Sequence, residues 1–354
     1  MNKVKVGVVG CGVIAHVMHL PGLKAMEEMG KVEVVAVCDA VEHVARATRE
    51  MYGVSTHYTS LDKMLAEADF DLLVNLTRIP DHFAVSLAGL RAGRHVYTQK
   101  PMTTTVEEAT ILVAEAKRRG LKLASAPEHP VRPMVSKIRS LILEGAIGKI
   151  AFAKVYSSHG GPEKHDVPRD STWFYKPGSS PLLDMGVHGL SQITAILGPV
   201  KRLACLSGRT SPVRCHTAGP YVGKRIDVEI DDNSLLMLDF GEATFAFLDA
   251  TYCVGATLAP QLEVYGSEGS LSLDRRDATG TLRLYQSTTR EWTRVEVPQA
   301  PPVRDLGVLH MVDCLLDGRE LVLTGERGRH LVEILTKAPQ AARDGRTLEM
   351  ETTF

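Results

Sequence analysis

The amino-acid sequence predicts an α/β domain with a doubly wound parallel sheet, followed by an α+β domain with a large, mostly antiparallel open sheet. At 354 residues the chain is long enough for two domains, since a domain usually has about 100 to 200 residues. Up to about residue 127, short apolar runs alternate with amphipathic stretches, which is typical of strands joined by crossover helices. Later apolar runs follow one another with short turns, as in antiparallel sheets. We therefore predict domains over residues 1–127 and 128–354.

The strands of the first domain are apolar at successive positions, as expected for strands that helices cover on both faces. Five runs have this character: VKVGVV, VEVVAVC, DLLVNL, HVY and LKLAS. Between them, residues 41–51, 80–92 and 106–119 have the apolar spacing of amphipathic helices.

The second domain is predicted from a series of strand-like runs, which we expect to form an antiparallel meander. These runs are IAFAKVYSS, KRLACLSG, VEIDDNSLLMLDF, ATFAFLDATY, QLEVYG, SLSLD, LRLYQS and TRVEV. Helices are predicted over residues 182–197, 305–316 and 325–344. The acidic run IDVEIDDN alternates with apolar positions, which predicts a solvated strand face.

Composition excludes several classes of function. The residues are 44% hydrophobic and 23% charged, as in an average globular protein, and the net charge is -1. Because acidic and basic residues are interleaved, we expect no nucleic-acid partner. The six cysteines are scattered without a C-x-x-C pair, which argues against a zinc ribbon or a disulfide framework. We find neither an apolar run of the roughly 18 residues that span a bilayer nor a signal peptide, so the expected location is the cytoplasm.

A glycine-rich turn, VKVGVVGCGVIA, places Gly10, Gly12 and Ala15 between a valine-rich strand and a helix. The first glycine permits the turn, the second lets the backbone approach a pyrophosphate, and the small third residue allows close packing at a helix N-terminus with free N–H groups. A plain strand-to-helix turn can use the same glycines, but this motif stands in a βαβ unit. The sequence therefore predicts a Rossmann domain that binds a dinucleotide, with Val13 and Ile14 also at the cofactor.

Asp39, at the end of the second strand, indicates which dinucleotide is bound. A carboxylate here can accept hydrogen bonds from the adenosine ribose hydroxyls and would repel a 2′-phosphate, so NAD is favoured over NADP. Arg46, one turn later, keeps NADP open as an alternative. Asp39 can also act as the N-cap of the helix that follows.

With these glycines, three further stretches resemble the glucose-fructose oxidoreductase and inositol dehydrogenase family (Gfo/Idh/MocA): LTRIPDHFAVSLAGLRAGRHVYTQKP (residues 76–101), IRSLILEGAIGKI (138–150) and SSPLLDMGVHGLSQI (179–193). The family places E-K-P after the fifth strand and D-x-G-x-H on a helix of the second domain. The resemblance implies an open antiparallel sheet whose outer face mediates homo-oligomerisation, as a dimer or tetramer. It also implies oxidation or reduction of a hydroxyl of a sugar, cyclitol or related compound.

The resemblance implies three catalytic residues, Lys100, Asp184 and His188, which also contact substrate. An ammonium at the end of a parallel strand can stabilise a developing alkoxide, although a strand-end lysine can equally be solvated. Asp184 and His188 are four residues apart on one helical face, where we expect Gly186 to leave room for a ligand. A carboxylate orients an imidazole that removes a hydroxyl proton, whereas an isolated pair of this kind is often a surface ion pair. We expect Lys100 and His188 to converge from the two domains.

Two further segments match the family pattern with departures. Thr77, Pro80 and His82 match its T-P-x-x-x-H segment loosely, and we expect this loop to line the nicotinamide ribose, although His82 can equally cap its helix. Gln99 replaces the usual glutamate beside Lys100 and is placed with it at the cofactor. Loss of the carboxylate removes a charge that favours protonated lysine.

The start of the second domain supplies candidate substrate contacts. Either Glu128 or His129, in EHPVRP, can touch substrate or only seat the linker. Trp173 and Lys176 lie in the loop before the catalytic helix, where an aromatic face can stack on a sugar ring; core packing is the alternative for the tryptophan.

Metal binding by this loop is the less favoured interpretation. It would use His159, His165 and Asp166, but loop histidines without a defined ligand geometry are usually polar surface. We therefore predict no metal.

The leading hypothesis is an NAD-dependent oxidoreductase that acts on a secondary hydroxyl of a sugar, sugar derivative or cyclitol. A second class is a hydrolase or lyase that uses tightly held NAD in a transient oxidation. A third is a non-catalytic sugar sensor, against which the presence of Lys100, Asp184 and His188 argues.

Overall fold

A computed structural model of the chain describes residues 2–167, 169–274 and 280–354. The helices in this part of the chain are α1 (Leu20–Glu28), α2 (Glu42–Tyr52), α3 (Leu61–Glu67), α4 (His82–Arg91), α5 (Val106–Arg119), α6 (Pro133–Leu143), α7 (Val187–Leu197), α8 (Leu306–Leu316) and α9 (Gly325–Asp344). The strands are β1 (Val4–Val9), β2 (Val32–Cys38), β3 (Thr56–Tyr58), β4 (Leu72–Asn75), β5 (His95–Thr98), β6 (Leu123–Ser125), β7 (Ile150–Tyr156), β8 (Arg202–Gly208), β9 (Val213–Cys215), β10 (Arg225–Asp227), β11 (Asn233–Gly241), β12 (Thr244–Thr251), β13 (Leu262–Gly266), β14 (Gly269–Asp274), β15 (Thr281–Gln286), β16 (Glu291–Arg294) and β17 (Leu348–Glu349).

The first compact unit is built on a six-stranded parallel sheet with the strand order β3-β2-β1-β4-β5-β6. This is the doubly wound order, in which the strand sequence reverses between β1 and β4 and leaves a crevice at their carboxyl ends. The five predicted strands are confirmed. Strand β3 was not predicted, because its three residues, THY, carry no apolar run.

The first unit comprises the chain through Arg132 together with residues 299–333 and Phe354. The sequence predicts that this later segment belongs to the second domain. In the structure, Val308 and Val312 of α8 belong to the same buried core as Val6 of β1 and Val74 of β4. Helix α8 is apolar enough to be buried, and this core covers its apolar side chains.

The second compact unit, residues Pro133–Pro298 and Ile334–Thr353, is built on a nine-stranded sheet. Its order is β16-β15-β14-β13-β7-β12-β11-β8-β17. All its strand pairs are antiparallel except β7 with β12, which run parallel. The mostly antiparallel open sheet is confirmed, but the simple meander is wrong, because β7 lies between β12 and β13 and so separates strands that are consecutive in sequence.

The acidic run IDVEIDDN is solvated as predicted at its first three acidic positions, 227, 229 and 231, but of these only position 227 lies in a strand. Strand β10 ends at Asp227, and Ile226 and Val228 belong to a small buried core with Tyr252. Asp232 is fully buried and accepts a 2.8 Å hydrogen bond from the guanidinium of Arg214. The last acidic position is therefore an internal ion-pair partner, which an alternating charge pattern does not reveal.

Among the residues described, we find no helix that combines the length and the apolar character needed to cross a membrane.

Candidate active site

The turn after β1 is held by a backbone contact that only glycine permits. Gly10 has φ +91°, and a Cβ built on it would lie 2.7 Å from the carbonyl carbon and oxygen of Leu76. Its N–H donates to Cys38 O at 2.8 Å. The turn is thereby fixed against the residues that follow β4 and against the end of β2.

Gly12 presents an open surface at the start of the helix. No described atom lies within 4 Å of the position that a Cβ would take, and Gly12, Val13 and Ile14 are exposed. The next turn, Ala15–His19, is π-helical and leads into α1, which begins at Leu20 with Pro21 in its first turn. Since Pro21 cannot donate to residue 17, the wider turn accommodates the missing hydrogen bond.

The carboxylate of Asp39 lies beside this turn. One oxygen, Oδ2, accepts from the backbone N–H of Cys11 at 2.9 Å, and Oδ1 accepts from Val41 N–H at 2.9 Å. The N-cap position of α2 is Val41, and no side chain caps that helix. The capping alternative for Asp39 is therefore wrong, while each carboxylate oxygen keeps a second lone pair for a ligand hydroxyl.

These residues fit a dinucleotide. Gly10 keeps the turn close to β4, Gly12 leaves open space for a pyrophosphate, and Asp39 offers acceptors for a ribose.

The loop after β4 is organised by Asn75, which is not among the site residues predicted from the sequence. Its Oδ1 accepts from both N and Oγ1 of Thr77, at 3.2 and 2.6 Å. Its Nδ2 donates to His82 O and Ser86 Oγ, both at 3.0 Å. The available signal was a polar residue in the otherwise apolar strand DLLVNL. Thr77 is therefore held in place at the carboxyl edge of the sheet, while Pro80 is exposed.

His82 lies beneath this loop and is 1% exposed. Its Nδ1 is 2.7 Å from Pro101 O and its Nε2 is 3.0 Å from Thr77 O. Burial lowers the pKa of His82. Both ring nitrogens face backbone carbonyls, so the geometry favours a residue that ties the Thr77 loop to the QKP loop, rather than the predicted direct cofactor contact or a helix cap.

Lys100 follows β5, whose carboxyl end adjoins those of β4 and β6. Its backbone N–H donates to Oε1 of Gln99 at 3.0 Å, and the Nε2 of Gln99 is 2.7 Å from the Nε2 of His19. Gln99 thus directs its side chain to His19 and to the peptide of Lys100.

In the second unit, Asp184 and His188 lie on one helical segment, as predicted. Asp184 falls in a π-helical turn, Leu182–Gly186, which continues into α7 with His188 in its first turn. The expected role of Gly186 is wrong. This glycine is buried, and a Cβ there would meet Leu182 Cδ1 at 2.8 Å and Ala250 Cβ at 3.0 Å. It allows the helix to pack against β12 and opens no space for a ligand.

Two side chains for which the sequence predicts no catalytic role adjoin Asp184. The hydroxyl of Tyr252 donates to Asp184 Oδ2 at 3.1 Å. The Nε2 of His159 lies 4.0 Å from the same oxygen, and its ring stacks on Tyr252 with centroids 5.1 Å apart. His159 accepts from Gly161 N–H through Nδ1 at 2.9 Å, which leaves Nε2 as the protonated nitrogen of a neutral ring. Burial lowers the pKa of His159.

The Tyr252 hydroxyl is a donor to the carboxylate, since burial and the charge of Asp184 raise the pKa of Tyr252. The sequence signal for Tyr252 was its position at the end of the apolar run ATFAFLDATY. His165, the other histidine of the less favoured metal interpretation, lies with its ring centroid 4.9 Å from that of His159.

The candidates near residue 128 lie inside the first unit. Glu128 is 5% exposed, accepts from Gly307 N–H at 3.0 Å, and pairs with Arg132 at 3.0 Å. Burial raises the pKa of Glu128. His129 is buried as well. These contacts favour the structural alternative for Glu128, because both carboxylate oxygens bind groups of the chain itself.

Trp173 and Lys176, the candidate substrate contacts in the loop before Leu182–Gly186, differ in how far they are engaged by the protein itself. Trp173 is 51% exposed, which excludes the core-packing alternative, and its ring stacks on Phe174 with centroids 3.8 Å apart. Lys176 donates to Glu229 Oε1 at 2.6 Å and to Asp227 O at 3.1 Å. Trp173 keeps an open face for a ligand, whereas the ammonium of Lys176 is engaged in a surface ion pair.

Two family models match the chain. Residues 4–126 match an oxidoreductase family with an NAD-binding Rossmann fold, and residues 135–272 match the GFO/IDH/MocA C-terminal domain. The predicted Rossmann domain, the NAD cofactor and the oxidoreductase class are confirmed by these matches.

Named relatives extend over nearly the whole chain. D-apiose dehydrogenase of Paraburkholderia graminis is 24% identical, with 99% of this chain and 91% of that protein covered. The scyllo-inositol 2-dehydrogenase (NADP(+)) of Bacillus subtilis is 23% identical, with 99% and 97% covered. A solved levoglucosan dehydrogenase in complex with NADH has a TM-score of 0.85 at 17% identity, with 99% and 100% covered. The last similarity shows the shared fold.

Asp39→Asn tests the ribose acceptor, because it keeps the size of the side chain and removes its charge. We expect the Kd for NAD to rise about tenfold, which corresponds to roughly 1.4 kcal/mol, and the preference for NAD over NADP to shrink. Titration of the protein with NAD and with NADP measures the ratio of the two Kd values. Asp62→Asn, on the exposed start of α3, is the matched control. An unchanged ratio of the two Kd values would remove Asp39 from cofactor discrimination.

Tyr252→Phe removes the hydroxyl that donates to Asp184 and keeps the ring. A hydrogen bond to a charged group contributes about 1.5 kcal/mol or more, so we expect kcat/KM to fall roughly tenfold. Steady-state kinetics beside thermal unfolding curves separates this loss from unfolding. Tyr221→Phe, at an exposed ring, is the control. Equal activity of the two variants would show that Tyr252 does not support Asp184.

Proposed function

Because the chain belongs to the GFO/IDH/MocA oxidoreductase family, we propose that it is an NAD-dependent dehydrogenase or reductase of a secondary hydroxyl or ketone in a sugar, sugar derivative or cyclitol. The observation that carries the proposal is the supported carboxylate Asp184, four residues before His188 on one helical segment. The relatives named for D-apiose, scyllo-inositol and levoglucosan support the substrate class.

Gly12, Asp39 and Thr77 are the residues that would hold NAD in the first unit. Bound NAD supplies the hydride acceptor or donor. Lys100 places an ammonium at the carboxyl edge of the parallel sheet, where it stabilises negative charge that develops on the substrate oxygen. Two anchors hold its loop: the Gln99 side chain on the Lys100 N–H, and His82 on the carbonyl of Pro101.

His188 takes the hydroxyl proton in the direction of oxidation and returns it in reduction. Asp184 orients the imidazole and stabilises its protonated form. The Tyr252 hydroxyl binds Asp184 Oδ2 and so fixes the carboxylate. A preorganised carboxylate needs no rearrangement as charge appears on the ring. We propose Lys100, Asp184 and His188 as the catalytic residues, with the exposed face of Trp173 as an additional substrate contact.

Lys100→Met and His188→Ala test these roles. We expect each change to lower kcat by about 100-fold or more while the Kd for NAD stays the same, as for groups that act in oxygen stabilisation and proton transfer. Initial rates with a panel of sugars and cyclitols, followed by nicotinamide absorbance, measure the effect. Lys117→Met and His43→Ala, both exposed on helices of the first unit, are controls.

The same assay separates the proposed function from the alternatives. A dehydrogenase accumulates reduced nicotinamide in proportion to substrate consumed. A hydrolase or lyase would consume substrate without accumulating reduced nicotinamide, since its catalytic cycle returns the hydride to the substrate. A sensor would bind a sugar without turnover.

We also propose that the chain forms a homo-oligomer through the outer face of the nine-stranded sheet. Neighbouring strands place exposed apolar side chains together on this face: Leu206, Leu235, Met237, Phe245 and Phe152. Phe152 stacks on Tyr265, with centroids 4.5 Å apart. A contiguous exposed apolar patch is typical of a protein interface.

Met237→Glu together with Phe245→Glu should dissociate the oligomer, because burying two unpaired carboxylates is costly. Sedimentation velocity at several protein concentrations would show the smaller species. Leu258→Glu, at a loop leucine that is 86% exposed, should leave the assembly unchanged. A wild-type monomer, or a double variant that sediments like wild type, would contradict the proposed interface.

A further inference from the structure

A series of hydrogen bonds, buried at its far end, leads from the peptide of Lys100 to Asp305. Lys100 N–H donates to Gln99 Oε1 at 3.0 Å, and Gln99 Nε2 lies 2.7 Å from His19 Nε2. His19 Nδ1 lies 2.5 Å from Asp305 Oδ2. Asp305 Oδ1 accepts from Val308 N–H at 2.9 Å and so caps α8. His19 and Asp305 are both 0% exposed.

The direction of every hydrogen bond in this series follows from one donor, the backbone N–H of Lys100. The backbone N–H of Lys100 needs an acceptor, so the amide of Gln99 presents its oxygen to Lys100 and its nitrogen to His19. An amide nitrogen only donates, and the Nε2 of His19 must therefore be the unprotonated, accepting nitrogen. The proton of the neutral ring lies on Nδ1 and is donated to Asp305.

The surroundings hold His19 in this place. A Cβ built on Gly22 would lie 2.7 Å from the Asp305 Cβ, so the start of α1 and the start of α8 are closely packed. The ring of Tyr97 lies edge-on to His19 at a centroid distance of 6.0 Å, and burial keeps the pKa of Tyr97 well above its ordinary value. Glu128, paired with Arg132, has a raised pKa because of burial, and the nearby charge of Asp305 adds to this increase.

We propose that His19, locked by Asp305 as the Nδ1–H tautomer, is a positioning residue that orients the amide of Gln99 and with it the peptide of Lys100. The hydrogen bonds stand on their own, and only the catalytic consequence rests on the proposed function. Asp305 acts through His19, and neither residue needs to touch substrate or cofactor.

This network explains why glutamine suits position 99. A glutamate there can accept from Lys100 N–H but, when ionised, cannot donate to His19 Nε2. Its second oxygen would then face the lone pair of that nitrogen. One proton must then be taken up between these two groups. Because an imidazole is ordinarily more basic than a carboxylate, we expect the proton on His19, which then donates to both the introduced carboxylate and Asp305. The added carboxylate and the added proton cancel, so Gln99→Glu changes the charge state of His19 more than it changes the net charge beside Lys100.

Nitrogen NMR of the full-length protein with ¹⁵N-labelled histidine tests this proposal without any activity assay. The two neutral tautomers and the imidazolium ion have distinct ¹⁵N shifts. We expect one neutral Nδ1–H histidine that disappears in His19→Asn and His19→Gln and persists in His43→Asn, an exposed control. In Gln99→Glu the same signal should move to the imidazolium position at neutral pH.

The two His19 variants also separate the two hydrogen bonds that His19 makes. Asparagine can keep the donor to Asp305, and glutamine can keep the acceptor for Gln99. If the hydrogen bond between His19 and Gln99 positions Lys100, kcat falls about tenfold in His19→Asn, which loses this bond. It is partly restored in His19→Gln, which keeps it, and the Kd for NAD is unchanged in both.

A His19 signal of the Nε2–H tautomer or of an imidazolium in the wild type would overturn the proposal, as would a neutral ring in Gln99→Glu. If the His19 variants fail to fold, the difference between wild type and Gln99→Glu still decides the outcome. Absence of dehydrogenase activity with the predicted tautomer would refute only the proposed function.

Discussion

The approach of Gly10 to the backbone of Leu76 and Thr77 is the constraint on which the first site depends. A Cβ at Gly10 would lie 2.7 Å from the Leu76 carbonyl carbon, so β1 and β4 can end side by side only without a side chain there. Once they do, Cys11 N–H reaches Asp39 and the Thr77 loop closes over Asn75. These loops at the carboxyl edge of the sheet are thus held by hydrogen bonds between partly buried polar groups.

Local patterns in the sequence were sufficient for the parts of the site that short-range chemistry defines. Gly10, Gly12 and Asp39 belong to one βαβ unit, and their spacing is imposed by a single turn and strand. Helices α5 and α9 have the predicted bounds because their apolar period and end signals agree. The QKP and D-x-G-x-H segments were found through resemblance. The structure adds the hydrogen bonds that His82 and Gln99 make, and it adds Tyr252 as the neighbour of Asp184.

Contacts between distant segments could not be predicted, because no local pattern records them. Asp305 lies 286 residues from His19, yet they form one buried pair. Strand β7 pairs with β12 and β13 across roughly a hundred residues, which a rule of consecutive antiparallel strands does not foresee. Gly186 was expected to open space for a ligand, whereas the fold fills that space with Leu182 and Ala250. A glycine pattern shows where a side chain is absent but not what occupies its place.

The central claim is that this chain moves a hydride between a carbon that bears a hydroxyl and NAD, and then releases the product. Its most direct test uses a substrate found in the sugar and cyclitol panel, deuterated at the reacting carbon, with mass spectrometry of the nicotinamide released into solution. We predict one deuterium in each reduced nicotinamide formed, in equal amount to the ketone produced. Substrate consumption with no label in the released nicotinamide would contradict the account.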